Sequence, residues 1–332
     1  ARIAALLSCV ATLLLVSSAE ADPSRRRLGQ ALDRIVARSE LRHATWAIQV
    51  RSASSGAVLY ERNDDKGMRP ASTMKLVTTA AALDAFGPDA RLLTTVESGA
   101  RLDGSGRLLG DVWLVGRGDP SLSTRFDDTG PDAALAALAD ALWDSGVRRI
   151  EGRLLGHEGA FTGDRRGPDW MLDDLAWGYG APVSALTYQD NVLRVTLTPG
   201  ERVGDPVVVD VVPRTPELTV HSTVSTAADG VERDITLERP PGTHGVALSG
   251  TLARGEEWEG ELAVDDPARF ATLALARVLE ARGIVVAGGV ATTSDPVPED
   301  ARILAAHEGE PLARLIQEVN KESQNLHAEL LL

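Results

Sequence analysis

From Pro70 to the pair Gly87-Pro88 the chain has little choice but to form a helix. Pro70 suits a first turn, where its missing N–H is no loss. The run Leu76-Val77-Thr78-Thr79-Ala80-Ala81-Ala82-Leu83 propagates the helix, and Gly87-Pro88 ends it. Ser72 then stands at a helix N-terminus, and Lys75, about one turn further on, lies on the same face with its amine in reach of the hydroxyl. A serine hydroxyl is a weak nucleophile until a neighbour takes its proton. A lysine does so only when its pKa is pulled down, and both desolvation and the positive end of the helix dipole push it that way. The same helix end offers backbone N–H groups that can stabilise an oxyanion. The bare tetrad also reads as a serine cap beside a solvated lysine, so the rest of the chain has to decide.

The 332 residues suffice for about two domains with real cores. A net charge of −14 argues against nucleic acid as a partner, and Arg25-Arg26-Arg27 is too short a basic run to change that. Residues 5–16 are apolar, follow Arg2, and lead into Ser17-Ser18-Ala19-Glu20-Ala21. That is the layout of a secretory signal peptide over residues 1–21, lacking its initiator Met and cleaved after Ala21. The run is too short to favour a spanning helix, so no stable membrane span is expected after cleavage. Leu6-Leu7-Ser8-Cys9 also resembles a lipoprotein box. The chain has one cysteine, Cys9; once the leader is removed, disulfides and thiolate metal sites are excluded. The expectation is an exported protein of the periplasm or extracytoplasmic cell-wall space.

Residues 28–38 have helical spacing. Residues 45–50 and 57–60 alternate and are joined through Ser54-Ser55-Gly56, a hairpin signal. Beyond Pro88 the texture changes. Short strand-like runs separated by Gly, Pro and Asp turns fill residues 91–264, among them 92–96, 112–115, 192–197, 207–212 and 246–248. One helix interrupts them at 132–145, with Leu135, Leu138, Ala139 and Leu142 on a single face. Asp265-Asp266-Pro267 caps a second helix over 268–281, stopped by Gly283. Residues 284–286 read as a strand, and Pro311 opens a third helix running from 312 to the end.

That last helix carries Asn320-Lys321-Glu322-Ser323-Gln324-Asn325. Ser323 and Asn325 flank one residue, a spacing that puts both polar groups on one side of a turn or helix break; a merely polar helix end has the same look. Ser-x-x-Lys followed much later by Ser-x-Asn is a signature of penicillin-binding proteins and β-lactamases. Together with Leu114-Val115-Gly116-Arg117-Gly118-Asp119-Pro120-Ser121-Leu122 and Ala181-Pro182-Val183-Ser184-Ala185-Leu186, these motifs make the sequence, from about residue 30 onwards, resemble the class C low-molecular-mass penicillin-binding proteins, exported D-alanyl-D-alanine carboxypeptidase/endopeptidases.

The resemblance implies an α+β fold: a transpeptidase/β-lactamase-like domain, an antiparallel sheet flanked by helices, over 22–90 and 265–332, interrupted by a large strand-rich insert over 91–264. It implies a serine D-alanyl-D-alanine carboxypeptidase/endopeptidase acting on peptidoglycan stem peptides without a cofactor. Ser72 would form the acyl-enzyme, Lys75 accept its proton, Ser323 relay a proton to the leaving amine and Asn325 hold the substrate amide. β-Lactams would inhibit by stalling at the acyl stage. Trp170, Asp173, Asp174, Trp177 and Tyr179 form an aromatic and acidic cluster. Asp174 and Tyr179 are candidates to hold a stem-peptide ammonium, though packing of an insert loop is the better explanation of the cluster.

Two departures matter. Gln324 replaces the usual central acid of the middle motif, and no lysine follows Lys321, so the Lys-Thr/Ser-Gly motif that binds the substrate carboxylate is missing. The chain reads as a fragment trimmed at both ends, with a catalytic domain incomplete at its C-terminus. The alternatives are a β-lactamase or esterase on the same frame, and a non-catalytic cell-wall binding protein. There is no Gly-x-Ser-x-Gly elbow, and His43, His157, His221, His244, His307 and His327 are scattered without metal spacing.

Overall fold

The computed structural model describes residues 23–168, 170–216, 218–239, 243 and 245–332. The leader expected over 1–21, its cleavage point and Cys9 lie outside the described residues, as does His244. The chain divides into two compact units, residues 1–71 and residues 72–332.

In the first unit, helix α1 (Pro23–Val36) is followed by strands β1 (Ile48–Arg51) and β2 (Val58–Arg62). The strands pair antiparallel with Val50 opposite Tyr60, the hairpin that the alternation predicts. Helix and hairpin are tied at 2.6 Å by the Tyr60 hydroxyl, which donates to Asp33.

A 3-10 turn (Ala71–Thr73), whose last two residues open the second unit, runs into helix α2 (Met74–Phe86). The sequence places Pro70 in the first helical turn; instead Ala71 adopts φ +46° and the α-helix begins at Met74. A left-handed residue cannot continue a right-handed helix, so the first α-turn forms after it. Gly87, at φ +79°, closes α2 as expected.

Strands β3 (Leu93–Ser98) and β4 (Val112–Val115), helix α3 (Ala133–Asp144) and strand β5 (Leu154–His157) follow. Helix α4 (Pro267–Arg282), strands β6 (Val290–Thr293) and β7 (Arg302–Glu308), and helices α5 (Leu312–Glu322) and α6 (Asn325–Leu330) complete the set used below. Five strands form one mixed sheet in the order β6-β5-β4-β3-β7. The β6/β5 and β5/β4 pairs are parallel; β4/β3 and β3/β7 are antiparallel. The parallel β4/β5 pair needs a crossover, and α3 supplies it. Strands from 93–157, assigned by sequence to the insert, therefore share backbone hydrogen bonds with strands from 290–308, assigned to the catalytic domain.

The face of α3 that the spacing picks out is the one that is buried: Leu135, Leu138, Ala139 and Leu142 are each at most 1% exposed. Helix α4 starts as its residues dictate, with Asp266 accepting from the Arg269 N–H, Pro267 in the first turn and Gly283 left-handed at the end. Smaller sheets use the strand-like runs further along: Val192–Thr198 lies between Trp258–Ala263 and Val208–Val212, and Gly245–Ala253 pairs with Thr219–Ser222, Ser225–Ala227 and Asp234–Glu238. No described helix is long and apolar enough to cross a membrane.

The third helix is not continuous. It breaks at Ser323, left-handed at φ +57°, and restarts as α6, where the Gln324 side chain caps the new helix by accepting from the Leu326 N–H at 2.9 Å. A left-handed serine costs about 1 kcal/mol, so the break is held by what surrounds it.

Candidate active site

Lys75 is the hub. Its stem is buried, and Nζ lies 3.0 Å from Ser72 Oγ, 3.2 Å from Ser323 Oγ and 2.5 Å from Asn325 Oδ1. The α2 turn delivers the first contact, since Ser72 precedes Lys75 by three residues. The other two come from the break between α5 and α6, which turns Ser323 and Asn325 to the same side. Ser72 stays exposed while its neighbour amine is sunk. Burial pulls the Lys75 pKa below its ordinary value, and the charge of Glu329, one helical turn beyond Asn325, partly opposes this.

Three acceptors match the three N–H bonds of an ammonium. Once a proton is lost, the amine has two N–H bonds and one lone pair. The lone pair can take the Ser72 proton while the N–H groups still hold Asn325 Oδ1 and Ser323 Oγ. The arrangement thus suits serine activation, with a second hydroxyl placed to pass a proton onward.

Two hydrogen bonds lock the helices carrying these groups. Asn320 Nδ2 on α5 donates to Thr79 Oγ1 on α2 at 3.2 Å, and Thr79 donates in turn to the Lys75 carbonyl at 2.8 Å. Asn325 Nδ2 donates to the Tyr179 carbonyl at 2.8 Å, so the amide that faces Lys75 cannot rotate freely. The Tyr179 side chain, 54% exposed, donates its hydroxyl to Asp174 at 3.1 Å. Slight burial, then the hydrogen bond to Asp174, push the Tyr179 pKa up. Ser72, Lys75, Ser323 and Asn325 thus come together around one amine, while Tyr179 reaches the group through its backbone carbonyl and Asp174 bonds the Tyr179 hydroxyl.

The two remaining motifs interlock with each other. A Cβ on Gly116 would come within 2.3 Å of the Ala185 carbonyl and Leu186 Cα, and the Gly118 N–H donates to the Ala185 carbonyl at 2.7 Å. Glycine at 116 permits that approach. Beside them Asp119 accepts from the Ser121 N–H and hydroxyl, and burial pushes its pKa up. Sequence reasoning missed the set behind α5 and α6: Asp190, His327, Arg125 and Glu318. Nothing in local spacing links them. Thr79 and Asn320 had a signal, since each lies one turn from a motif residue on its own helix. Among the described residues no group of three or more His, Cys, Asp or Glu side chains is arranged to hold a metal.

The profile of the D-Ala-D-Ala carboxypeptidase 3 (S13) family matches residues 28–332. The chain is 33% identical over 331 residues to a D-alanyl-D-alanine carboxypeptidase of Actinomadura sp. (strain R39), covering 96% of this chain and 60% of that protein. The crystal structure of penicillin binding protein 4 (dacB) from Haemophilus influenzae superposes with a TM-score of 0.73 at 24% identity, covering 86% of this chain and 61% of that one. A crystal structure of the same Haemophilus protein complexed with a novel β-lactam gives a TM-score of 0.66 at 22% identity, over 85% and 59% of the two chains. The α+β fold is thus shared with a solved penicillin-binding protein. The chain spans about three fifths of the length of these relatives.

Proposed function

The chain belongs to the D-Ala-D-Ala carboxypeptidase 3 (S13) family, and from that premise we propose that it is a serine peptidase which cleaves the terminal D-alanyl-D-alanine bond of peptidoglycan stem peptides. The observation that carries this reading is the single amine, Lys75 Nζ, in contact with Ser72, Ser323 and Asn325 at once. Lys75, neutral, takes the proton as Ser72 Oγ attacks the scissile carbonyl. As the tetrahedral intermediate collapses, the C–N bond breaks, and a proton passes from Lys75 through Ser323 to the leaving D-alanine amine. Water then adds to the acyl-enzyme, its proton going to the Lys75 amine; as the acyl–Oγ bond breaks, that proton returns to Ser72 Oγ and the free carboxylic acid leaves. Asn325, fixed by the Tyr179 carbonyl, holds the substrate amide.

Asp174 and Tyr179 supply a carboxylate and an aromatic face for a stem-peptide ammonium. A β-lactam enters by the same acylation and stays bound because the acyl-enzyme is slow to hydrolyse; the Haemophilus relative has been crystallised with one. A Lys-Thr/Ser-Gly strand for the substrate carboxylate belongs to this mechanism and is not present within residues 1–332. Such a substrate places the protein outside the cytoplasmic membrane.

The test is D-alanine release from a pentapeptide by full-length protein, with fluorescent penicillin labelling beside it. Wild type releases D-alanine and keeps the label, whereas Ser72→Ala does neither. Unchanged release by Ser72→Ala overturns the reading, and rapid loss of the label points instead to a β-lactamase.

A further inference from the structure

The break at Ser323 is strained, and its neighbours on both sides are tied to one buried carboxylate. Asp190, 5% exposed, accepts from His327 Nε2 at 2.8 Å through Oδ1 and from Arg125 Nε at 2.8 Å through Oδ2. His327 lies on α6, four residues after Ser323, and is fully buried. Among the described residues its Nδ1 has no partner, so there the Asp190 hydrogen bond alone orients the ring, which otherwise stacks on Phe126 at 5.7 Å. Arg125 carries the link to the other side: Nη1 donates at 3.2 Å to Glu318 on α5, five residues before Ser323, and Arg314 lies 3.6 Å from the same carboxylate. The charges alternate along the chain of contacts, from Asp190 to Arg125 to Glu318 to Arg314.

Asp190 is itself held in an uncommon backbone. Gln189, Asp190 and Asn191 are successive non-glycine residues at φ +49°, +53° and +58°. The loop is fixed by side chains at both ends, Gln189 Nε2 donating to the Pro131 carbonyl at 2.8 Å and Asn191 Nδ2 to the Pro182 carbonyl at 2.9 Å. Strain of this kind persists only where the surroundings over-determine it, and it gathers at functional sites. Here it aims a charge at the backs of the two helices whose tips reach Lys75.

We propose that Asp190 is the positioning residue of the Ser323–Asn325 arm. By clamping α6 through His327 and α5 through Arg125 and Glu318, it sets the angle at the left-handed serine and hence the distances from Ser323 Oγ and Asn325 Oδ1 to Lys75 Nζ. The inference rests on the proposed acyl transfer, because positioning has a meaning only if those distances matter to a reaction. It touches no substrate; its effect falls on the chemical step and not on ground-state binding.

The experiment uses the full-length protein and compares Asp190→Asn, His327→Phe and His327→Gln with wild type. It measures acylation by a fluorescent penicillin, and kcat and KM on a peptide ending in D-alanyl-D-alanine. Displacement of the arm by a fraction of an ångström lowers acylation and kcat about 10- to 100-fold, with KM within about threefold of wild type. His327→Gln keeps an N–H close to the position of Nε2 and recovers most of the loss seen in His327→Phe, which keeps only the stacking. Asp190→Asn preserves shape, so the idea stays testable even if His327→Phe folds poorly. Wild-type acylation in both Asp190→Asn and His327→Phe, a loss confined to KM, or no rescue by Gln would overturn the assignment while leaving the reaction intact. Ser72→Ala, run beside them, separates the two failures: labelling that survives it removes the reaction itself and the clamp with it.

Discussion

Lys75 is approached by two arms of opposite construction. The near arm, Ser72, is three residues away on the same helical stretch, and its 3.0 Å contact needs only one turn of helix. The far arm, Ser323 and Asn325, comes from the other end of the chain, through a helix broken at a strained serine and backed by a buried ion network. The near arm is secured by local geometry and fails only if the helix fails. The far arm depends on a side-chain cap, an amide held by a carbonyl and a charge 190 residues into the chain, any of which can be removed without unfolding α2.

The largest effect should come where the arms meet. Lys75→Met deletes the shared amine, and acylation by a fluorescent penicillin is expected to fall about 10²- to 10⁴-fold, the range for a lost general base. Stopped-flow labelling reads it. Ser323→Ala cuts only the far arm: acylation drops by about 10²-fold, while the Ser72–Lys75 pair stays formed. A Ser323→Ala rate as low as that of Lys75→Met would mean that the arms are not separable.

The third change acts on the hub without touching either arm. The Lys75 pKa lies below its ordinary value of 10.5, so the rising limb of acylation rate against pH has its midpoint below that value. Glu329→Gln removes a charge that raises it and moves the limb to lower pH. A shift the other way would show that Glu329 does not act on Lys75 through its charge.

Acid should loosen the far arm first. Burial alone raises the Asp190 pKa, but His327 and Arg125 outweigh it and hold the carboxyl below its ordinary 3.8. A carboxyl with a depressed folded-state pKa contributes stability that is present above the unfolded value and lost as pH falls through the folded one. Asp190→Asn should therefore lower the melting temperature at pH 7, with the gap to wild type narrowing as pH falls below 3.8. A pH-independent gap would break the argument. The smallest effect is at the cap: Gln324→Ala frees the Leu326 N–H and lowers stability by about 1 kcal/mol, read in a urea titration, with acylation changed less than by Ser323→Ala.

The same contrast explains what could be read from residues alone. The α3 stripe, the Asp266 and Gly283 caps of α4 and the β1/β2 hairpin are legible because each depends on contacts within a few residues. Strand β7 escaped notice: Arg302–Glu308 carries no clean alternation, and it is a strand because β3 offers it an edge. The Ser-x-Asn spacing allows a turn or helix break after α5 and does not fix one: Ser323 has no local reason to turn left-handed.

The amino-acid order by itself determined the near arm, since a spacing of three residues across a 3-10 turn running into a helix brings hydroxyl and amine together. It also marked Ser323 and Asn325, and the acidic and aromatic pair Asp174 and Tyr179, as groups worth following. Only the tertiary structure decided that Ser323 and Asn325 face Lys75, that the Tyr179 carbonyl holds the Asn325 amide, and that Asp190 stands behind both helices. Helical neighbours are set by short-range geometry, whereas contacts spanning some 250 residues depend on how sheets and helices pack, and no periodicity in the sequence records that.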